Sequence, residues 1–147
     1  MALAAGTPVP AFTAQTPDGP FTQDDLDGTS VLVFYPFAFS PVCTDQLQIY
    51  EREDFGDAKL YGVSCDAVAS QVAFAEKLGV SIPQLSDFEP KGAISKAFDA
   101  YHEAGMSQRA LVVIRDGVVQ WSYQADTPGD LPAPRLVHEG LAAAAAA

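Results

Sequence analysis

The sequence is poor in cysteine and histidine, which limits the kinds of site it can build. Only two of its 147 residues are cysteines, Cys43 and Cys65, too few for a disulfide framework and in keeping with a reducing compartment. We therefore expect a cytoplasmic protein. A four-cysteine metal site is impossible, and the two histidines, His102 and His138, lie at no close ligand spacing, so no metal is expected.

Basic residues and long apolar runs are scarce as well. The chain has 19 acidic and 8 basic residues, a formal charge of −11, so a phosphate backbone or an anionic membrane surface is not an expected partner. No apolar run approaches the roughly 18 residues of a membrane-spanning helix. Residues 1–10 lack the basic start and apolar stretch of a secretory signal. The length predicts one domain over residues 1–147.

The first half of the chain has the pattern of a parallel βαβ unit. Val31–Tyr35 is a continuous apolar run typical of a strand buried on both faces, and Lys59–Ser64 is a second candidate strand. Val42–Phe55, between them, is long enough for a crossover helix. Val68–Leu78 has apolar residues at helical spacing, with Gly79 as a stop. This order predicts an α/β sheet with right-handed crossovers.

The second half of the chain changes to an antiparallel pattern. Ala110–Arg115 and Val118–Tyr123 flank Asp116-Gly117, a strong hairpin signal because both turn positions need positive φ. Further predicted elements are a small hairpin at Asp18-Gly19, a loop or short strand at Pro83–Asp87, and helices at Gly92–Tyr101 and Leu131–Leu141. The fold class is therefore α/β, with a central mixed sheet flanked by helices: a parallel βαβ half and an antiparallel hairpin half.

The chemically informative segment follows the first buried strand and opens the next helix. Sites in open α/β sheets form outside the carboxyl ends of strands, so this location favours function. Ser40 suits the N-cap and Pro41 the first helical position, which puts Cys43 in the first turn. Unpaired N–H groups there favour the thiolate, the nucleophilic form, although Asp45 opposes it. The alternative is a buried structural cysteine.

This segment resembles the active-site signature of the peroxiredoxins. The spacing Pro36-x-x-x-Ser40-x-x-Cys43 matches proline, then threonine or serine, then the peroxidatic cysteine, and Arg109 stands where that family has its active-site arginine. The likeness covers nearly the whole chain, with further matching stretches at Gly6–Phe12, Gly62–Asp66 and Leu85–Asp87. Residues 36–39 and the overall length are most similar to the one-cysteine, E-type alkyl hydroperoxide reductases of the AhpC/TSA family.

The resemblance implies a thioredoxin-like fold, no cofactor and a role for each matching residue. Cys43 would attack a peroxide oxygen and become sulfenic acid. Ser40 would offer its hydroxyl to the peroxide, Arg109 would hold the thiolate and polarise the departing oxygen, and Pro36 would shield the pocket. Each residue has a plainer alternative: Ser40 as a helix cap only, Pro36 as a strand end and Arg109 as a surface ion-pair partner.

Two departures from the family pattern bear on the reaction cycle. Gln46 stands where many relatives carry a glutamate, and Gln48 stands where some carry a resolving cysteine. Cys65 takes a position that is commonly valine, so we expect it to pack. The implied partners are a peroxide substrate, an external thiol reductant (a low-molecular-weight thiol, a glutaredoxin-like protein or thioredoxin) and a second copy in a homodimer.

Two other functions remain open at this point. A thiol–disulfide oxidoreductase on the same fold usually has a second cysteine two residues after the first, which Cys43-Thr44-Asp45-Gln46 lacks. A non-catalytic peroxide sensor or holdase would pass the oxidation to a partner instead of turning over.

Overall fold

The computed structural model describes residues 1–146. Its strands are β1 (Thr13–Thr16), β2 (Gly19–Thr22), β3 (Thr29–Phe34), β4 (Lys59–Ser64), β5 (Gln84–Ser86), β6 (Tyr101–His102), β7 (Met106–Ser107), β8 (Ala110–Arg115) and β9 (Val118–Gln124). Its α-helices are α1 (Pro41–Arg52), α2 (Val68–Leu78), α3 (Ala93–Ala97) and α4 (Pro134–Ala146). A short 3-10 helix lies at Gln23–Asp25.

Seven of these strands form one mixed sheet in the order β2-β1-β5-β4-β3-β8-β9. Strand β4 pairs in parallel with both β3 and β5, whereas β8 pairs antiparallel with β3 and β9. The fold class is thus confirmed, with the parallel half joined to the antiparallel half along β3. Strand β3 lies between β4 and β8, and both of its faces are covered. Its apolar residues are therefore fully buried: Val31, Leu32, Val33 and Phe34.

The alternation of side chains along the strands divides the core into two layers. One layer contains Phe34 from β3 and Val63 from β4, and packs against Ile94 of α3. The other contains Val33 and Leu111 and packs against the helices α1, α2 and α4, through a set of side chains that includes Cys43, Leu47, Phe74 and Val137. The position of α1 in this second layer places the candidate nucleophile on a defined face of the sheet.

Most local predictions are confirmed. Helix α2 has the expected bounds and ends at Gly79, which is left-handed with φ of 68°. The turn between β8 and β9 has positive φ at both Asp116 (54°) and Gly117 (73°). Hairpins form at both predicted places. Asp116 and Gly117 adopt the left-handed conformation that a tight turn needs, whereas Pro17 and Asp18 form the turn of the first hairpin and only Gly19, the first residue of β2, has a positive φ, of 104°.

Three predicted helices have different bounds in the structure. The crossover helix expected at Val42–Phe55 is α1, which begins at Pro41 and already ends at Arg52. The helix expected at Gly92–Tyr101 is only α3, and the chain then turns into β6. Helix α4 begins at Pro134 rather than at residue 131, since each residue before a proline is biased away from helical geometry and proline itself suits the first helical position. It continues into the alanine tail because alanine is the best helix former. Ala147 lies outside the described residues.

Within residues 1–146, no helix combines the length and apolar character needed to cross a membrane.

Candidate active site at the start of helix α1

The first turn of α1 presents Cys43 to the interior. Ser40 is the N-cap, in extended conformation with φ of −70° and ψ of 150°, and Pro41 occupies the start of the helix, as expected. The Ser40 hydroxyl makes no capping hydrogen bond. The capping alternative for Ser40 is therefore not supported. Cys43 is fully buried and packs in the layer beneath α1.

The guanidinium of Arg109 lies directly against the Cys43 thiol. Arg109 precedes β8, which places its side chain in the layer that contains α1, and it is only 2% exposed. Its Nη2 donates to Cys43 Sγ at 3.2 Å, its Nη1 to Gln46 Oε1 at 2.6 Å, and its Nε to the carbonyl oxygen of Pro128 at 2.7 Å. The surface ion-pair alternative is wrong, because Arg109 is buried and makes no ion pair with any residue in the range 1–146.

The segment between β3 and α1 is held by the end of the neighbouring strand. Pro36 is buried at the point where β3 ends. The backbone N–H of Ala38 donates to Asp66 Oδ2 at 2.8 Å, just after β4. Phe39 has a φ of 70°, and its ring packs on Phe74 with centroids 5.1 Å apart. These contacts fix the path of the loop that delivers Ser40 and Cys43 to the helix start.

Tyr50, which sequence reasoning missed, is a buried residue that interacts with Gln46 and Arg109. It lies seven residues after Cys43, two helical turns along the same face of α1, a spacing that would have indicated it. Burial raises the pKa of Tyr50 to about 12, although the Gln46 amide and the Arg109 charge act in the opposite direction. The hydroxyl therefore stays protonated at neutral pH and donates to the Pro132 carbonyl at 2.8 Å.

Cys65 lies on the opposite face of the sheet from Cys43. Ser64, the residue before it, faces α2 and accepts a hydrogen bond from Gln71. Cys65 faces the other layer, where its Sγ is 3.7 Å from Ser107 Oγ and 3.9 Å from Asp87 Oδ2. Both cysteines are free thiols. The buried environment of Cys65 agrees with the expectation that this residue packs. The sheet lies between the two sulfur atoms.

The environment of Cys65 disfavours its thiolate. Burial is the largest cause of a raised thiol pKa, and the neighbouring Asp87 carboxyl raises it further, while the Ser107 hydroxyl acts in the opposite direction. Burial also raises the pKa of Asp87, whose carboxylate accepts hydrogen bonds from the backbone N–H groups of Ile94 and Ser95 at the start of α3. Cys65 therefore belongs to a buried polar cluster with a structural connection to α3.

The two histidines lie apart from this site. His102 Nδ1 accepts a hydrogen bond from the Ala104 N–H in the β6–β7 hairpin, and His138 on α4 pairs with Glu53 at 2.9 Å. Across residues 1–146, no three histidine, cysteine or acidic side chains converge in a group able to hold a metal ion.

A thiol in the first turn of a helix, touched by a buried arginine on a thioredoxin-like sheet, defines a class of thiol proteins that reduce peroxides. Residues 5–122 match the model of the AhpC/TSA family, and the chain belongs to that family. It is thus a peroxiredoxin, a thiol-dependent peroxidase.

Similar proteins agree with this assignment. Alkyl hydroperoxide reductase E of Mycobacterium tuberculosis is 33% identical over 119 residues, which cover 77% of each protein. Among solved structures, AhpC of Enterococcus faecalis superposes with a TM-score of 0.83 and 26% identity, covering 98% of this chain and 93% of that one. Peroxidoxin BcpB of M. tuberculosis superposes with a TM-score of 0.79 and 26% identity, covering 98% and 97%.

The raised pKa of Cys65 gives a direct test of its environment. In a Cys43→Ser variant, where Cys65 is the remaining thiol, we expect the iodoacetamide reaction to reach half its maximal rate at a higher pH than in the unfolded chain, because burial raises the pKa of the thiol. The measurement is the alkylation rate against pH, with the same protein unfolded in guanidinium chloride as the control. A midpoint in the folded protein at or below that of the unfolded chain would contradict this account.

Proposed function

We propose that Cys43 is the peroxidatic nucleophile and that the protein reduces hydrogen peroxide and organic hydroperoxides. The observation that carries the proposal is the 3.2 Å hydrogen bond from Arg109 Nη2 to Cys43 Sγ at the start of α1. The Cys43 thiolate attacks one oxygen of the hydroperoxide and the O–O bond breaks. Cys43 becomes sulfenic acid, and the departing oxygen takes a proton and leaves as water or an alcohol.

Arg109 and Ser40 are proposed to stabilise this step. Negative charge moves from the sulfur atom to the departing oxygen, so a donor fixed beside the sulfur lowers the barrier. The Arg109 guanidinium stays charged at any working pH and can donate to both atoms. The Ser40 hydroxyl, which makes no capping bond, is one helical turn before Cys43 and suits a hydrogen bond to the peroxide. Pro36, which is buried where β3 ends, is proposed to keep water out.

Reduction of the sulfenic acid is proposed to use an external thiol. A disulfide needs Cα atoms within about 7 Å and converging Cβ directions. Cys43 and Cys65 occupy opposite faces of the sheet, so unwinding the first turn of α1 alone would not bring them together. An external thiol would condense with the sulfenic acid and release water, and a second thiol would then regenerate Cys43 and leave as a disulfide.

The partners and the compartment are also proposals. The reductant is a low-molecular-weight thiol, a glutaredoxin-like protein or thioredoxin, and two free thiols suit the reducing cytoplasm. A homodimer is supported by the exposed rings of Phe37 and Phe39 beside the site, since exposed apolar side chains that cluster often mark an interface. No observation favours the oxidoreductase or sensor alternative.

The function is tested first by Cys43→Ser. We expect this variant to lose turnover of hydrogen peroxide with dithiothreitol as the reductant, because serine does not ionise at neutral pH, and to retain its circular dichroism spectrum. Cys65→Ser is the matched control and should keep its activity. Comparable turnover in the Cys43→Ser variant would show that another group carries the reaction.

The role of Arg109 is tested by Arg109→Ala. We expect the second-order rate constant with peroxide to fall by about 10²-fold, as is typical when one preorganised donor is removed. Stopped-flow fluorescence measures this step without a reductant. Arg135→Ala, which removes an exposed arginine on α4, is the control for the loss of one positive charge. Equal rates in the two variants would remove Arg109 from the mechanism.

The one-cysteine cycle is tested by mapping the oxidised protein. After one equivalent of peroxide without added thiol, we expect Cys43 as sulfenic acid or a more oxidised form and Cys65 as a free thiol. Non-reducing peptide mapping with dimedone as the sulfenic acid trap measures both sulfur atoms. A Cys43–Cys65 disulfide in high yield, together with lost turnover in Cys65→Ser, would establish an internal resolving cysteine instead.

A further inference from the structure

The Cys43 thiol is closed to solvent, although the proposed cycle needs two different reactants to reach it. Its side chain is fully buried at the start of α1. Hydrogen peroxide is little larger than water, whereas a thiol reductant must bring a sulfur atom and its carbon chain to within the length of a disulfide bond, about 2 Å. Some segment beside the site must therefore move before the reductant can react.

Two irregular segments adjoin the site, and the first of them, the β3–α1 loop (residues 35–40), is firmly held. The Ala38 N–H donates to the Asp66 carboxylate at 2.8 Å, and the ring of Phe39 packs on that of Phe74 with centroids 5.1 Å apart. The loop also leads directly into the first turn of α1. Moving it would break these contacts together and disturb the start of the helix.

The second segment, the β9–α4 connection (residues 125–133), is held by two side chains. Most of its residues are exposed, and none belongs to a helix or strand. Beyond Ala125, two hydrogen bonds join it to other parts of residues 1–146: Arg109 Nε donates to the Pro128 carbonyl at 2.7 Å, and the Tyr50 hydroxyl donates to the Pro132 carbonyl at 2.8 Å. Irregular segments with few such contacts open more readily than the sheet they border.

The Tyr50 hydroxyl makes the contact at the far end of this connection. Burial raises the pKa of Tyr50 to about 12, so the hydroxyl keeps its proton at neutral pH and donates it to the Pro132 carbonyl. Pro132 is itself buried, so its carbonyl depends on this donor while the connection is closed. The fixed φ of Pro128 and Pro132 restricts the chain between the two contacts, so few contacts suffice to fix its path.

We propose that the thiol reductant reaches Cys43 by displacing the β9–α4 connection, and that Tyr50 is the positioning residue that keeps this route closed. Opening breaks the hydrogen bonds to the Pro128 and Pro132 carbonyls and uncovers the Arg109 guanidinium, which lies against the Cys43 sulfur. The reductant sulfur then bonds to the Cys43 sulfur. The oxygen of the sulfenic acid leaves as water with its own proton and that of the thiol, and a mixed disulfide remains. This inference rests on the proposed function, since it concerns its second half-reaction.

The test is Tyr50→Phe, which keeps the ring that packs on Phe55 and removes only the hydroxyl. We expect the second-order rate constant for reduction of the Cys43 sulfenic acid by 2-mercaptoethanol to rise about fivefold, within the range of roughly 2- to 12-fold that one net hydrogen bond is worth in an opening equilibrium. The rate of the peroxide step should not rise. The protein is oxidised with one equivalent of hydrogen peroxide, mixed with the thiol, and quenched in acid at set times for mass spectrometry.

Tyr123→Phe is the matched control. Tyr123 lies near Tyr50 and packs in the same layer, but its hydroxyl makes no hydrogen bond within residues 1–146. This variant should keep the wild-type rate of reduction. An unchanged or slower reduction in Tyr50→Phe, or an equal rise in both variants, would overturn the proposal.

Hydrogen exchange measures the opening itself. We expect the amides of residues 125–133 to exchange about fivefold faster in Tyr50→Phe than in the wild type or in Tyr123→Phe, because each opening event breaks one hydrogen bond fewer. Equal exchange in all three proteins would also overturn the proposal. Because exchange needs neither peroxide nor thiol, it is independent of turnover: a wild-type protein that forms no sulfenic acid would count against the proposed function alone.

Discussion

The site depends on one buried positive charge, the guanidinium of Arg109. Burial makes its interactions stronger than they would be in water, and it also makes them obligatory, because an unpaired cation in this layer would be costly. The guanidinium therefore joins three separate parts of the chain: the first turn of α1, the beginning of β8 and the loop before α4. The Cys43 thiol is one of the acceptors that meet this requirement for partners.

The two cysteines have different electrostatic surroundings. Both are buried and free. Cys43 lies at a helix N-terminus against a cation, whereas burial, together with the neighbouring Asp87 carboxyl, raises the pKa of the Cys65 thiol. The sheet between them also separates the two environments. The connection from β3 to α1 thus places one sulfur against a guanidinium, while the other lies among polar side chains on the opposite face of the sheet.

Prediction from sequence succeeded where structure is set by nearby residues. Helix α2 and strand β8 have the expected bounds, and β9 ends one residue later than expected, because periodicity, a stop glycine and an Asp-Gly turn act within a few residues. The predicted bounds of α3 and α4 were less accurate. The segment after α3 turns into β6 because it pairs with β7, and α4 starts only after two prolines and then extends along alanines. The end of α3 thus depends on tertiary pairing, whereas the start of α4 depends on the conformations that proline allows.

The sequence by itself determined the helix start, with Pro41 at its first position and Cys43 in its first turn, since capping and proline geometry are local. It also pointed to Arg109, but only through a family resemblance. Tertiary structure alone decided that Arg109, 66 residues from Cys43, is buried against it rather than exposed. It alone brought Gln46 to the same guanidinium and set Cys65 on the far face of the sheet. These facts depend on which strands and helices pack together, and long-range packing is not encoded in any short stretch of the chain.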